Sequence, residues 1–457
     1  MSWIRVGWAC ATLAGCLAVS ATAGAKMTGA KMAERAHRTR AGGIDLVTYR
    51  TNVRDVVVLL GALPAGDAMA GSGNIAVPTL HGMMLDRGTT RLDKFAIAAK
   101  LDDVGAQLSF TVGPQNLEIH GRCLKKDLPL VLSLLAEDLR APAFSAEEFA
   151  KAKRQFIGSL RESLQNSGAR AEEAFGRAVF PAGHPNRPHA IDEYLAAAES
   201  ATLEDVKAFH ARYVGPKHMT LVLAGDVPQA EAARDLAKDF SGFSGGHDYV
   251  RPAAPAAAAR ADEILVPLEG KPSTIVLLGQ ATGLQYRDPD ALPLRVGTAV
   301  LGQGFTGRLM GTVRDREGLT YFINAAVIDD TLADGAWSIT ASFAPSLLDK
   351  GVASTRRVLE DWWQSGITDA ELAARKQGLI GGYEVGLSTS SGLAGFILVS
   401  IERGYDLDWL DRYPQAVKGL TLDQVNRAIR AHLDPSRMVL VEVGSVGQPG
   451  GAQVPER

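Results

Sequence analysis

The chain has 457 residues, which suggests two or more domains. Hydrophobic residues make up 46% and charged residues 22%, the balance of a globular protein with buried cores. A formal net charge of −3 and the lack of a polybasic run argue against a broad basic face for nucleic acid or anionic lipid.

Residues 1–25, "MSWIRVGWACATLAGCLAVSATAGA", read as a signal peptide. One cation, Arg5, precedes an apolar stretch too short to span a bilayer, and an A-x-A site follows it. Leu13-Ala14-Gly15-Cys16 resembles a lipoprotein cleavage box, which would make Cys16 a lipid anchor. Cleavage there leaves a very short apolar core, so ordinary export is favoured. With Cys10 and Cys16 inside the signal, Cys123 is the one remaining cysteine, and no intrachain disulfide is expected. Its alternating context, "LEIHGRCL", suggests a buried thiol on a strand.

Next comes "VVVLLGAL" at 56–63, a short apolar run suited to a buried strand. "LDKFAIAAKLDDVG" has helical apolar spacing and stops at Gly105. "AQLSFTVGPQNLEIHGRC" alternates around a Gly-Pro turn, as a hairpin does. "SAEEFAKAKRQFIGSLRESLQ" opens with Ser145 as N-cap and Glu148 at capping-box spacing. "TLEDVKAFHARYVGPKHMTLVLAG" at 202–225 is an amphipathic helix that leads into an apolar strand.

The second half repeats the first. Segment 202–225 recurs as "TLDQVNRAIRAHLDPSRMVLVEVG" at 421–444, "VVLLG" at 57–61 as "IVLLG" at 275–279, and segment 137–155 as 360–378. A single duplication with a period of ~220 residues gives two homologous domains, not a solenoid. We place them at 42–240 and 264–446. A Gly-, Pro- and Ala-rich linker at 241–263 joins them, and a flexible tail follows at 447–457. The fold class is α+β, each domain an antiparallel-rich sheet covered by helices.

Four segments, "TLHGMMLDRGT", "VFPAGHPNRPH", "FHARYVGPKHMTLVLAGDV" and "VLGQGFTGRLMGTVRDREGLTY", resemble the insulinase/pitrilysin family of zinc peptidases. The resemblance covers essentially all of the chain after the signal. It implies a two-domain unit forming half of a clamshell. It also implies zinc held on an inverted H-x-x-E-H helix of the N-terminal-type domain, with a later Glu as third ligand. Here that motif is substituted. The two ligand histidines fall on Thr79 and Met83, the base glutamate falls on Gly82, and the third ligand falls near Leu160, with Glu162 close by. A catalytic zinc needs three protein donors and an open position, and Gly82 offers no carboxylate to take a proton from water. His81 stands alone on its turn; His184 and His189, with Asp192 and Glu193 nearby, flank a proline-rich segment that reads as a loop rather than a metal site, and the remaining histidines have no ligand spacing. The expected metal complement of this chain is therefore none.

The second copy keeps the family's Arg–Tyr pair as Arg314 and Tyr321. In active members, the resemblance implies, these groups reach the zinc site, bind substrate backbone and polarise the scissile carbonyl. A fixed hydroxyl or guanidinium stabilises the developing oxyanion. Gly302, Gly304, Gly307 and Arg308 are candidate substrate contacts beside the pair, with Arg316 a further neighbour. The expectation is a zinc-free subunit of an exported, periplasmic heterodimeric peptidase, inactive alone. A homologous zinc-bearing subunit would be its partner and unfolded peptides its substrates. The alternative is an inert structural or chaperone-like member of the family.

Overall fold

The computed structural model describes residues 31–71, 73–246, 254–255 and 257–446. The signal segment with Cys16, the tail 447–457 and linker residues 247–253 and 256 lie outside the described residues.

Strands β1 (Ala36–Ala41), β2 (Ile44–Arg50), β3 (Val56–Leu63), β4 (Gln107–Val112), β5 (Leu117–Leu124) and β6 (Thr220–Gly225) form one sheet, ordered β1-β2-β6-β3-β5-β4. Strands β7 (Asp262–Pro267), β8 (Thr274–Ala281), β9 (Thr320–Ile328), β10 (Ala336–Phe343) and β11 (Val439–Gly444) form the other, ordered β7-β11-β8-β10-β9. Apart from β1 the two plans are the same. Each has one parallel pair, β2 with β6 and β7 with β11, and antiparallel neighbours beyond it. Two boundaries differ from the sequence reading. β1 lies ahead of residue 42, paired residue for residue with β2, and β7 starts at Asp262, inside 241–263. Both are outer strands with mostly non-buried side chains, so no apolar run announces them.

Around the first sheet lie α1 (Val77–Met84), α2 (Lys94–Asp102), α3 (Leu128–Arg140), α4 (Ala146–Leu164), α5 (Ser167–Val179), α6 (Ile191–Ser200), α7 (Leu203–Tyr213) and α8 (Gln229–Asp239). The second half contributes α9 (Ala291–Gly302), α10 (Leu348–Ser365), α11 (Asp369–Leu387), α12 (Ser390–Glu402), α13 (Trp409–Gly419) and α14 (Leu422–His432). Local chemistry sets many of the ends. The Asp93 and Ser145 side chains accept from the amides of Ala96 and Glu148, satisfying orphan donors at the starts of α2 and α4. Glu148 does not close a box on Ser145. Its carboxylate takes Lys94 at 2.8 Å and Lys151 at 2.9 Å, which holds it down to about 2. The hairpin β4–β5 turns through Gly113–Asn116, as its alternation predicts.

The central strands are apolar on both faces because both faces are buried. In β3, Val57, Leu59 and Leu63 enter the core under the first half's own helices, while Val58 and Ala62 point the other way. That opposite face is covered by the other half: Leu393, Ala394, Ile397 and Leu398 of α12 pack on Val47, Val58, Val222 and Ala224. The exchange is reciprocal. Ala171, Phe175 and Val179 of α5 cover Leu277, Ala281, Val439, Val441 and Val443 of the second sheet. α12 is apolar on nearly every side, yet among the described residues no single helix is long and apolar enough to cross a membrane. Polar contacts secure the junction. His184 Nε2 meets Asp334 Oδ1 at 2.9 Å, the Asn186 amide donates to the Asp329 carbonyl at 2.8 Å, and Asn116 donates to Glu402 at 2.6 Å.

Candidate functional site

The Arg–Tyr region is built on the last turn of α9, a π-helical turn over Met310–Arg316, and the start of edge strand β9. Gly302 has a packing reason: a Cβ there would run into the backbone of Ala325 on β9. Gly304 has a positive φ of 69° with open space around it, and so permits the turn that follows. Gly307 sits against the backbone of Leu301–Gln303. These three glycines let the loop fold tightly back on α9.

The arginines then divide. Arg308 is bound within the chain, with Nε and Nη2 donating to Glu371 at 2.7 Å each and Nη2 to the Gly366 carbonyl at 3.0 Å. That fork holds the Glu371 carboxyl down to about 2. Arg308 thus anchors the loop to α11. Arg316 turns back to the Gly311 carbonyl and the Thr312 hydroxyl. Arg314 differs. Its guanidinium carbon lies 5.2 Å from the ring centre of Tyr321 and 5.2 Å from that of Phe305, with the Asp315 carboxylate at 4.0 Å. Tyr321 is 84% exposed and Phe305 72% exposed. The chain thus brings Arg314 and Tyr321 together and presents both beside a second aromatic ring.

The connection between them is held from below. Glu317 accepts from Arg357 at 2.5 Å and from the Ser354 hydroxyl, both on α10. The Gly318 amide donates to the Arg314 carbonyl at 3.0 Å. Phe305 was not singled out by the sequence reading. The signal was available, since a phenylalanine inside "GQGFTG" has no apolar periodicity that would bury it.

On α1 the substituted positions are filled by other chemistry. Tyr194 donates to Asp67 at 2.9 Å, and the Thr79 hydroxyl, 3.0 Å from the Tyr194 oxygen and 3.3 Å from Asp67, gives its one proton to this pair. A Cβ built on Gly82 would collide with Val112 Cγ2 of β4. Met83 packs against the hydrophobic core, and Leu160 is itself a buried core residue, while Glu162 is exposed. Among the described residues no three His, Cys, Asp or Glu side chains gather as a metal-binding group. Zinc does not fit these residues: a hydroxyl, a thioether and an apolar plug replace its donors.

The histidines have structural settings. His81 is fully buried, with Nε2 3.0 Å from His210 Nδ1 and the rings of Phe144 and Phe209 beside it. Burial, then its histidine neighbour, pushes His81 well below the ordinary value, and burial takes His210 down to about 4. His184 is the junction residue already described, and His189 stacks on Tyr194 at 5.8 Å. Cys123 is buried, its thiol pushed up to about 12.

A family model described as the Peptidase M16 inactive domain matches residues 200–379. The non-peptidase homolog YmxG of Helicobacter pylori is 22% identical over 383 residues, 82% of this chain and 85% of the relative. The peptidase M16 inactive domain from Pseudomonas fluorescens superposes with a TM-score of 0.82 at 24% identity, covering 92% of this chain and 100% of that one. The periplasmic protease PqqL from Escherichia coli gives a TM-score of 0.74 at 14% identity. The match covers 94% of this chain but 48% of that protease.

Proposed function

This chain belongs to the insulinase/pitrilysin-type M16 peptidase family, and from that premise we propose that it is the zinc-free half of a two-chain peptidase. The observation that carries the reading is the contrast between its two halves. The metal-side helix is occupied by Thr79, Gly82 and Met83, with Val112 filling the base's position. Arg314 lies beside Tyr321, with the phenol exposed and the guanidinium partly so.

A group that stabilises an oxyanion is useful only where a nucleophile acts. Because zinc does not fit this chain, the nucleophile comes from another: a homologous subunit with an intact H-x-x-E-H helix. The match to about half of a periplasmic protease supports the idea that a second such unit completes the enclosure. In the complex, Tyr321 donates to the carbonyl oxygen of a bound unfolded peptide as charge develops there. Arg314 holds the peptide backbone, its guanidinium steadied over Phe305 and Tyr321. The signal-like segment 1–25 supports export to the periplasm, with lipid anchoring at Cys16 the alternative. The non-peptidase name of the Helicobacter pylori relative favours a second reading, a peptide-binding or scaffolding member with no chemistry at all.

The test is purification of the tagged chain from its own host at native abundance. The proposal expects a stoichiometric homologous subunit with H-x-x-E-H, about one zinc per pair, and cleavage of a quenched peptide by the pair alone. A chain that elutes by itself, or zinc bound to the isolated chain, overturns it.

A further inference from the structure

We infer that Thr320 is a positioning residue whose hydroxyl holds open the β-bulge that presents Tyr321; the inference rests on the functional reading of Tyr321 given above.

In an unbroken strand, side chains alternate, so residues 321, 323 and 325 share one face. Ile323 and Ala325 are both buried in the core of the second half. Tyr321 would go with them, yet it is 84% exposed, and Phe322 beside it is 48% exposed. The pairing with β10 explains the break. Phe322 pairs with Ser342 and Thr320 with Phe343, so Tyr321 is the extra residue of a bulge. The bulge lies on an edge strand directly after the turn that carries Arg314, and it swings the phenol outward to that side chain.

An extra residue disrupts the ladder and leaves backbone groups that need partners. The Thr320 side chain supplies them. Its Oγ1 donates to the Ser342 carbonyl at 2.6 Å, lies 2.9 Å from the Phe322 carbonyl, and accepts from the Phe322 amide at 3.1 Å. Thr320 is itself 9% exposed, so these bonds are sheltered from competing water. One buried hydroxyl thus bridges both strands across the bulge. Valine has the same shape and cannot do this; serine can.

The test compares Thr320→Val, Thr320→Ser and Tyr321→Phe. In the isolated chain, amide exchange at Phe322 should quicken about fivefold in Thr320→Val, the ratio for one net hydrogen bond, and return towards wild type in Thr320→Ser. In the complex purified through a tag on this chain, with a quenched peptide, kcat for Thr320→Val should fall between about tenfold and about a hundredfold with little change in KM. Thr320→Ser should recover most of it. The double variant Thr320→Val with Tyr321→Phe should be no slower than Tyr321→Phe alone, because Thr320 acts through that phenol. If Tyr321→Phe is impaired while Thr320→Val turns over like wild type, this inference fails and the functional reading stands. Independent, additive losses also overturn it. If Tyr321→Phe is itself silent, the functional reading fails and takes this role of Thr320 with it.

Discussion

Gly82 and Val112 bear most directly on why zinc does not fit α1. A glycine at the base position could be a recent loss that a single substitution would reverse. The structure argues otherwise, because the side chain of Val112 already occupies the space that a Cβ on residue 82 needs. Rebuilding the motif with Thr79→His, Gly82→Glu and Met83→His would overpack this corner at about 1–3 kcal/mol. It would also leave apolar Leu160 where the third donor belongs. We expect that triple variant to melt lower than wild type and to take up less than one zinc per chain by elemental analysis. A stable variant with one tight zinc would show that Glu162 or another carboxylate can swing in.

A second residue-scale prediction concerns buried charge. Asp138 is 1% exposed, and its Oδ1 has no hydrogen-bond partner. Burial, then Asp86 and Glu137, pushes its carboxyl up to about 8. Between the ordinary value of 3.8 and about 8 the unfolded chain loses a proton that the folded chain keeps, so this group destabilises the fold as pH rises. His81 and His210 act in the opposite sense. Held low by burial, they stay neutral in the fold below 6.5, where the unfolded chain takes up protons, so they destabilise it as pH falls towards about 4. Asp138→Asn should therefore stabilise the protein more at pH 8 than at pH 5, by at least about 1 kcal/mol, in urea titrations. An equal effect at both values would mean that the carboxyl is ionised in the fold.

At the scale of elements, the exchanged helices α5 and α12 decide how the halves behave. Each covers a sheet face that belongs to the other half, with Ile397 fully buried against the first sheet. Ile397→Ala should cost about 2–5 kcal/mol, and although the mutation lies in the second half, it should lower the stability of the first. Denaturation followed by hydrogen exchange at β3 and β6 would detect this; protection lost only around α12 would show that the halves unfold separately.

The same elements show what the sequence could and could not disclose. The run "VVVLLGAL" reads as a buried strand, and it is one; it and its repeat "IVLLG" lack alternation because both faces of the strand are covered. Thr202, Thr368 and Thr421 each close a capping box, a signal complete within four residues. The all-round apolarity of "GLAGFILV" says that α12 is buried but not against what, since its partner strands lie far away in sequence. The Arg314–Tyr321 spacing was legible through its resemblance to a family pattern. The bulge that gives the spacing its geometry was not, because local alternation places Tyr321 on the buried face with Ile323 and Ala325 until its partners on β10 are known. β1 was missed because an exposed polar outer strand has no apolar periodicity.

For the whole molecule, the duplicated plan has diverged in what each half carries. Both copies keep the sheet order, and both lend a helix to the other. In one copy the α1 face at Thr79, Gly82 and Met83 presents a hydroxyl and a thioether, with Val112 packed on the glycine. The other carries an exposed phenol, Tyr321, beside the partly buried cation of Arg314. On the proposed function, this division would make the chain dependent on a partner for chemistry, and the partner dependent on it for substrate orientation. Turnover by the complex carrying Tyr321→Phe tests that dependence most directly, with size-exclusion and zinc analysis confirming that the pair and its metal are intact. The account predicts a fall in kcat on the order of 10²–10³, the loss of one hydrogen bond to a developing oxyanion. Wild-type turnover from an intact, zinc-loaded pair would contradict it.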